Sequence, residues 1–178
     1  MKKQINHQNI INMIKGKVYT LDKFEQQIVD LIAFQRHNNK VNTGWDGHGT
    51  VNHKSDILLD RDGFGGEFIF CRELNLYPDF KVHNTSKRLG TDSYDATFIN
   101  KTVDVKVNRN PEHPLMVPER LKTECNLFVL FSCKFPKYRF EGFATNRMLF
   151  KKENLRMTRV MAYVLEKKNL LNLRDLNI

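Results

Sequence analysis

Asp95, Asp104 and Lys106 place two carboxylates and an amine within one short stretch, Tyr94–Val107. That stretch reads as two strands joined by a tight turn at Asn100-Lys101. In the second strand Val103, Val105 and Val107 alternate with Thr102, Asp104 and Lys106, a period of two. The valines therefore face a core, and Asp104 and Lys106 share the opposite face. With a two-residue loop, Ile99 pairs with Thr102, Thr97 with Asp104 and Asp95 with Lys106. That register collects Asp95, Asp104 and Lys106 on one face, with the two acids diagonal neighbours about 7–8 Å apart. A three-residue loop would slip the pairing by one and turn Asp95 away.

Two acids and a lysine on one sheet face suit hydrolysis of a phosphodiester. Oxygen ligands of this kind hold a hard divalent cation, here expected to be Mg²⁺. Such an ion polarises the phosphate and lowers the pKa of a bound water, while the lysine orients that water or neutralises developing charge. The plainer alternative makes Asp95–Lys106 a surface cross-strand ion pair, worth about 0–1 kcal/mol, with Asp104 solvated.

The chain has 178 residues, 40% hydrophobic and 28% charged, which suits a single globular domain over 1–178 with a substantial core. Lys and Arg number 29 against 20 Asp and Glu, a net charge of +9. That balance favours a polyanionic partner, nucleic acid first. Cys71, Cys125 and Cys133 are scattered, with no C-x-x-C pair, which argues against a disulfide framework or a zinc site and for a reducing compartment. The polar start has no signal-peptide character, and the longest apolar run, Leu127–Phe131, is too short to span a bilayer. No membrane partner is expected, and the protein should be intracellular. Its many asparagines fit an AT-rich bacterial or phage genome.

The elements that would position these residues follow from periodicity. Asn9–Lys15 suits a short helix closed by Gly16. Leu21 to about His37 suits a longer one with Thr20 as N-cap and Phe24, Ile28, Leu31 and Ile32 on its core face. Residues 1–40 would thus be a helical extension. Asn42–Asp62 reads as loop. It carries Trp45, which could anchor that loop or stack on a base, and His48 and His53, whose spacing no element fixes. Gly63-Phe64-Gly65-Gly66-Glu67 leads into a helix of about ten residues with Phe64, Phe68, Cys71 and Leu74 buried. Glu67 sits at the edge of that stripe, and the glycines permit close approach to a strand or a phosphate. Phe80–His83 suits an edge strand and Pro118–Glu124 a short helix. Asn126–Cys133 is an apolar run suited to a strand covered on both faces, and Tyr138–Ala144 suits a further strand interrupted by Gly142. From Asn154, Met157, Val160, Met161, Val164 and Leu165 fall at helical spacing, which predicts a C-terminal helix over 154–171. Lys151, Lys152, Arg156, Arg159, Lys167 and Lys168 surround it, as a solvated face or a phosphate-contact surface.

The order of these elements, with Gly66-Glu67 on a helix, then Asp95, then Asp104-Val105-Lys106 among valines, resembles the PD-(D/E)XK nuclease superfamily. The likeness covers roughly Gly63–Ser132. It implies an α/β fold of restriction-endonuclease type: an αβββαβ core, within 63–145, with a mixed central sheet flanked by helices. It also implies that Asp95, Asp104 and the Val105 carbonyl bind metal, Mg²⁺ with Mn²⁺ as substitute. Lys106 would then position the attacking water, and Glu67 would assist from the preceding helix. Tyr94 stands where the family often has proline. The implied activity is metal-dependent hydrolysis of DNA, probed against a non-catalytic nucleic-acid-binding module on the same fold. A homodimer is expected only by analogy with relatives that cut two strands with two copies.

Overall fold

The computed structural model describes residues 13–42, 53–82 and 94–176. Trp45, His48 and the loop Asn84–Ser93 lie outside those residues, as does most of the expected helix Asn9–Lys15. The protein is α/β, built on a mixed five-stranded sheet. Its strands are β1 (Val18–Thr20), β2 (Ala96–Phe98), β3 (Lys101–Asn108), β5 (Leu127–Lys134) and β6 (Lys137–Thr145), in the order β1-β6-β5-β3-β2. Only β3 and β5 run parallel; the other pairs are antiparallel. A second, three-stranded sheet, β4-β8-β7, is made of β4 (Leu115–Pro118), β7 (Leu155–Met157) and β8 (Met161–Leu165).

The apolar run at Leu127–Cys133 is β5, buried throughout and covered on both faces, as its composition requires. Leu127, Val129 and Phe131 face a helical layer together with Val103 and Val105. Phe128 and Leu130 face the second sheet. The helical layer consists of α1 (Lys23–Asn42) and α2 (His53–Glu73). In α2, Phe64, Phe68, Cys71 and Leu74 form the expected buried stripe. The glycines between Phe64 and Phe68 approach the sheet closely. A Cβ on Gly66 would stand 2.5 Å from Val107 Cγ2, and one on Gly65 would stand 2.0 Å from the Tyr138 hydroxyl. A short helix, α3 (Asn146–Leu149), follows β6 and is capped by the Thr145 hydroxyl.

Several expectations are corrected. The N-terminal segment is no mere appendage, because β1 joins the central sheet beside β6. Thr20 ends that strand, and Asp22 caps α1 instead, its carboxylate accepting the Glu25 N–H at 2.9 Å while Glu25 accepts the Asp22 N–H. The buried face of α1 is Val29, Ala33 and His37, with Ile32 packed against the core as expected, leaving Phe24 77% exposed and Leu31 57% exposed. Small residues there let two helices lie close. Part of the supposed loop Asn42–Asp62 is helical, since α2 starts at His53, and Glu67 sits well inside that helix. Tyr77–Val82 forms no strand; Phe80 instead packs its ring against Phe64, Phe68 and Tyr77. The helix expected at Pro118–Glu124 is a single 3-10 turn, Glu119–Leu121.

The C-terminal helix expected over 154–171 is absent. Its place is taken by β7, β8 and a 3-10 turn at Lys167–Asn169. Ala162, Tyr163, Val164 and Leu165 are all buried in succession, which no single helix face can achieve, and β8 finds its partner in the distant β4. No helix among the described residues is long and apolar enough to cross a membrane.

Candidate active site

The hairpin forms, with its turn one residue earlier than its sequence suggests. Phe98 pairs with Lys101 and Thr97 with Thr102, so Ile99 and Asn100 make the loop, at φ of 50° and 58°. Two successive positive φ values are the mark of a type I′ turn. A β-branched residue is poorly suited to that conformation, but Ile99 also packs against the core. The pairing moves by two places, so every side chain keeps its face. The expected Asp95–Lys106 pair does not form. Asp95 lies at a bend just before β2, its N–H donating to the Val103 carbonyl at 2.8 Å. Its carboxylate accepts the Val105 N–H at 2.6 Å.

The site straddles the edge of β3. Val105 turns its N–H toward the β2 side. Strand geometry sends its carbonyl the same way, past the end of β2 and into space that no strand of the described residues occupies. Asp104 and Lys106 project from the face shared with Phe128 and Leu130. Asp104 is buried, and the Lys106 ammonium rests 2.6 Å from its Oδ1. Glu67 approaches from the helical side, where Gly66 presses α2 onto Val105 and Val107.

Electrostatics link these groups. Burial, then the charges of Glu67 and Asp104, hold the Asp95 carboxyl well above the ordinary carboxylate range, against the pull of the Val105 hydrogen bond and of Lys106. Burial likewise raises Glu67; Arg36 opposes that, Asp104 adds to it and Lys106 offsets it. All four side chains singled out in the sequence therefore feel one another's charge. Arg36 was not anticipated. Its guanidinium sits 3.1 Å from Glu67 Oε2, donates to the Asp79 carbonyl at 2.8 Å and lies over the Phe64 ring. Only its place on the buried face of α1, one turn after Ala33, could have signalled it.

The donor set suits a hard cation in chemistry: two aspartates, a backbone carbonyl directed to an open edge, and mutually repelling buried carboxylates whose charge a cation would relieve. In the arrangement seen, no three His, Cys, Asp or Glu side chains among the described residues are grouped closely enough to hold an ion. Glu67 is held by Arg36, and Asp104 by Lys106. The aspartates and the Val105 carbonyl are thus the core of the set, with Glu67 a more distant contributor. A thiol nucleophile is not available as an alternative. All three cysteines are buried, and burial pushes Cys71 up to about 12 and Cys133 to about 11. A cavity of about 360 Å³ opens beside Lys106, lined also by Asp62, Asn108, Arg109 and His113. No family model matches the chain, and no curated protein or solved structure matches it either.

Proposed function

We propose that the protein is a metal-dependent nuclease hydrolysing phosphodiester bonds of DNA, acting as an endonuclease on a restriction-endonuclease-like core. The observation that carries this reading is that Glu67, Asp95, Asp104 and Lys106, from three separate segments, lie within reach of one another's charge around β3. The order of α2, the β2–β3 hairpin and the parallel strand β5 supports it, while the strand expected at Phe80–His83 and the helix expected at Pro118–Glu124 are not seen among the described residues.

Asp95, Asp104 and the Val105 carbonyl would hold Mg²⁺. When bound, it supplies Lewis acidity toward the phosphate and a water of lowered pKa. The Lys106 ammonium lies 2.6 Å from Asp104, where it can donate to a phosphate oxygen or to the attacking water. Glu67 is kept in place by Arg36, and its raised carboxyl suits it to accept a proton from that water. Catalysis of this kind rests on positioning and charge neutralisation.

Supercoiled plasmid incubated with Mg²⁺ tests the reading. The wild type is expected to nick it and chelator to stop the reaction. Asp104→Ala and Lys106→Ala should each lose at least about 100-fold in rate while still shifting DNA on a gel. Cutting by either variant at the wild-type rate rules out this site. The second reading, a non-catalytic nucleic-acid-binding module, draws on the ion pairs that already neutralise Glu67 and Asp104. It predicts gel shifts with no metal-dependent nicking.

A further inference from the structure

A larger cleft, of about 610 Å³, lies next to the cavity at Lys106, and Asp62 and Arg109 line both. Its wall carries Arg61, Arg109, Lys134, Lys137 and Arg139, against Asp62 as the acid among its lining residues. The arginines are not loose surface groups. Asp62 is buried, and its two oxygens hold two guanidinium groups: Arg61 at 3.0 Å through NH2 and Arg109 at 2.6 Å through Nε. Arg61 also lies over the Phe135 ring, its guanidinium carbon 3.9 Å from the ring centre. Arg139 donates from Nε to Glu141 at 2.8 Å, and that buried carboxylate also accepts from Ser132 and pairs with Lys167. Two buried acids thus fix three arginines around one hollow, so little side-chain freedom is left to lose when an anion enters.

We infer that this cleft seats the backbone of a single nucleic-acid strand, continuing from the Lys106 cavity, with Arg61, Arg109 and Arg139 on its phosphates. The inference rests on the nuclease reading for the identity of the ligand. The volume suits one nucleotide unit of a single strand, within the ~300–1,000 Å³ of ordinary ligand pockets. Fixed guanidinium forks match phosphate oxygens, whereas freely solvated lysines contribute mainly diffuse attraction.

Fluorescence anisotropy with a labelled 12-nucleotide oligothymidine in EDTA, where no cleavage occurs, reads this cleft apart from catalysis. Arg109→Gln is expected to weaken binding about tenfold and to flatten the log–log salt slope by about 0.7, one single-strand phosphate contact. Lys134→Glu, at an exposed position lining the cleft, replaces a positive with a negative charge and should also weaken binding. The double variant Lys151→Gln/Lys152→Gln, whose residues do not line the cleft, should bind within twofold of wild type. Unlabelled single strand should compete better than duplex of equal length. Wild-type affinity in both cleft variants, or equal competition by duplex, overturns the inference whether or not plasmid is nicked. A protein that never nicks plasmid yet binds the oligonucleotide through these residues refutes the nuclease reading and leaves the cleft standing.

Discussion

Asp95 shows what this site costs the fold. Its carboxyl stands above its unfolded value because burial and two neighbouring acids disfavour the charge. Folding therefore takes up a proton between the unfolded pKa, about 3.9, and the higher folded one. Stability contributed by this group falls as pH rises through that window. Asp95→Asn keeps an acceptor for the Val105 N–H and removes the charge. It should melt about 2–4 °C higher near neutral pH, the shift that about 1 kcal/mol produces in a chain of this size. The gain should fade as pH drops toward 4 and vanish below it. A variant no more stable than wild type at pH 7 contradicts this account of the site. Arg36 belongs at the same scale. The sequence offers no pattern linking it to Glu67, because the pair forms only when two helices meet.

At the scale of elements, the fit between α2 and β3 is set by Gly66. Adding one methyl there meets Val107 Cγ2 at 2.5 Å, in a layer also bounded by Val105 and Phe131. Gly66→Ala should destabilise the protein by about 1–3 kcal/mol, read by denaturant unfolding, and should lower cleavage further by moving Glu67. An unchanged midpoint would mean that the helix can slide freely. These contacts also explain what the sequence could and could not reveal. The valine alternation of β3, the apolar run of β5 and the buried stripe of α2 each state their burial in local spacing, so they were legible. The stretch 155–165 was not. Its apolar residues satisfy a helical period, yet they serve a β-ladder whose partner strand lies far away in sequence. The face of α1 misled for a related reason: Val29 and Ala33 are buried because they are small beside α2, while larger Phe24 and Leu31 remain in solvent. Of the hairpin, its two strands and the shared face of Asp104 and Lys106 were readable, but its turn falls one residue earlier, at Ile99 and Asn100, where a β-branched residue takes a positive φ that sequence preference does not favour.

At the scale of the whole molecule, a net charge of +9 becomes a directional feature, because fixed arginines gather at one cleft adjoining the acidic site. Mg²⁺ should therefore stabilise the fold through that site alone. At about 100 times its Kd it would add about 2.7 kcal/mol, seen as a higher melting temperature for the wild type and not for Asp104→Asn. Equal shifts in both proteins would place the ion elsewhere. The hydrogen bond from Val105 to Asp95 has one more consequence. A strand whose amides point outward without partners invites another chain to pair along it. By occupying the Val105 amide with a carboxylate, the protein guards the flank that β2 is too short to cover. The carboxylate that accepts this amide thus also helps to keep neighbouring molecules from stacking onto that border and aggregating.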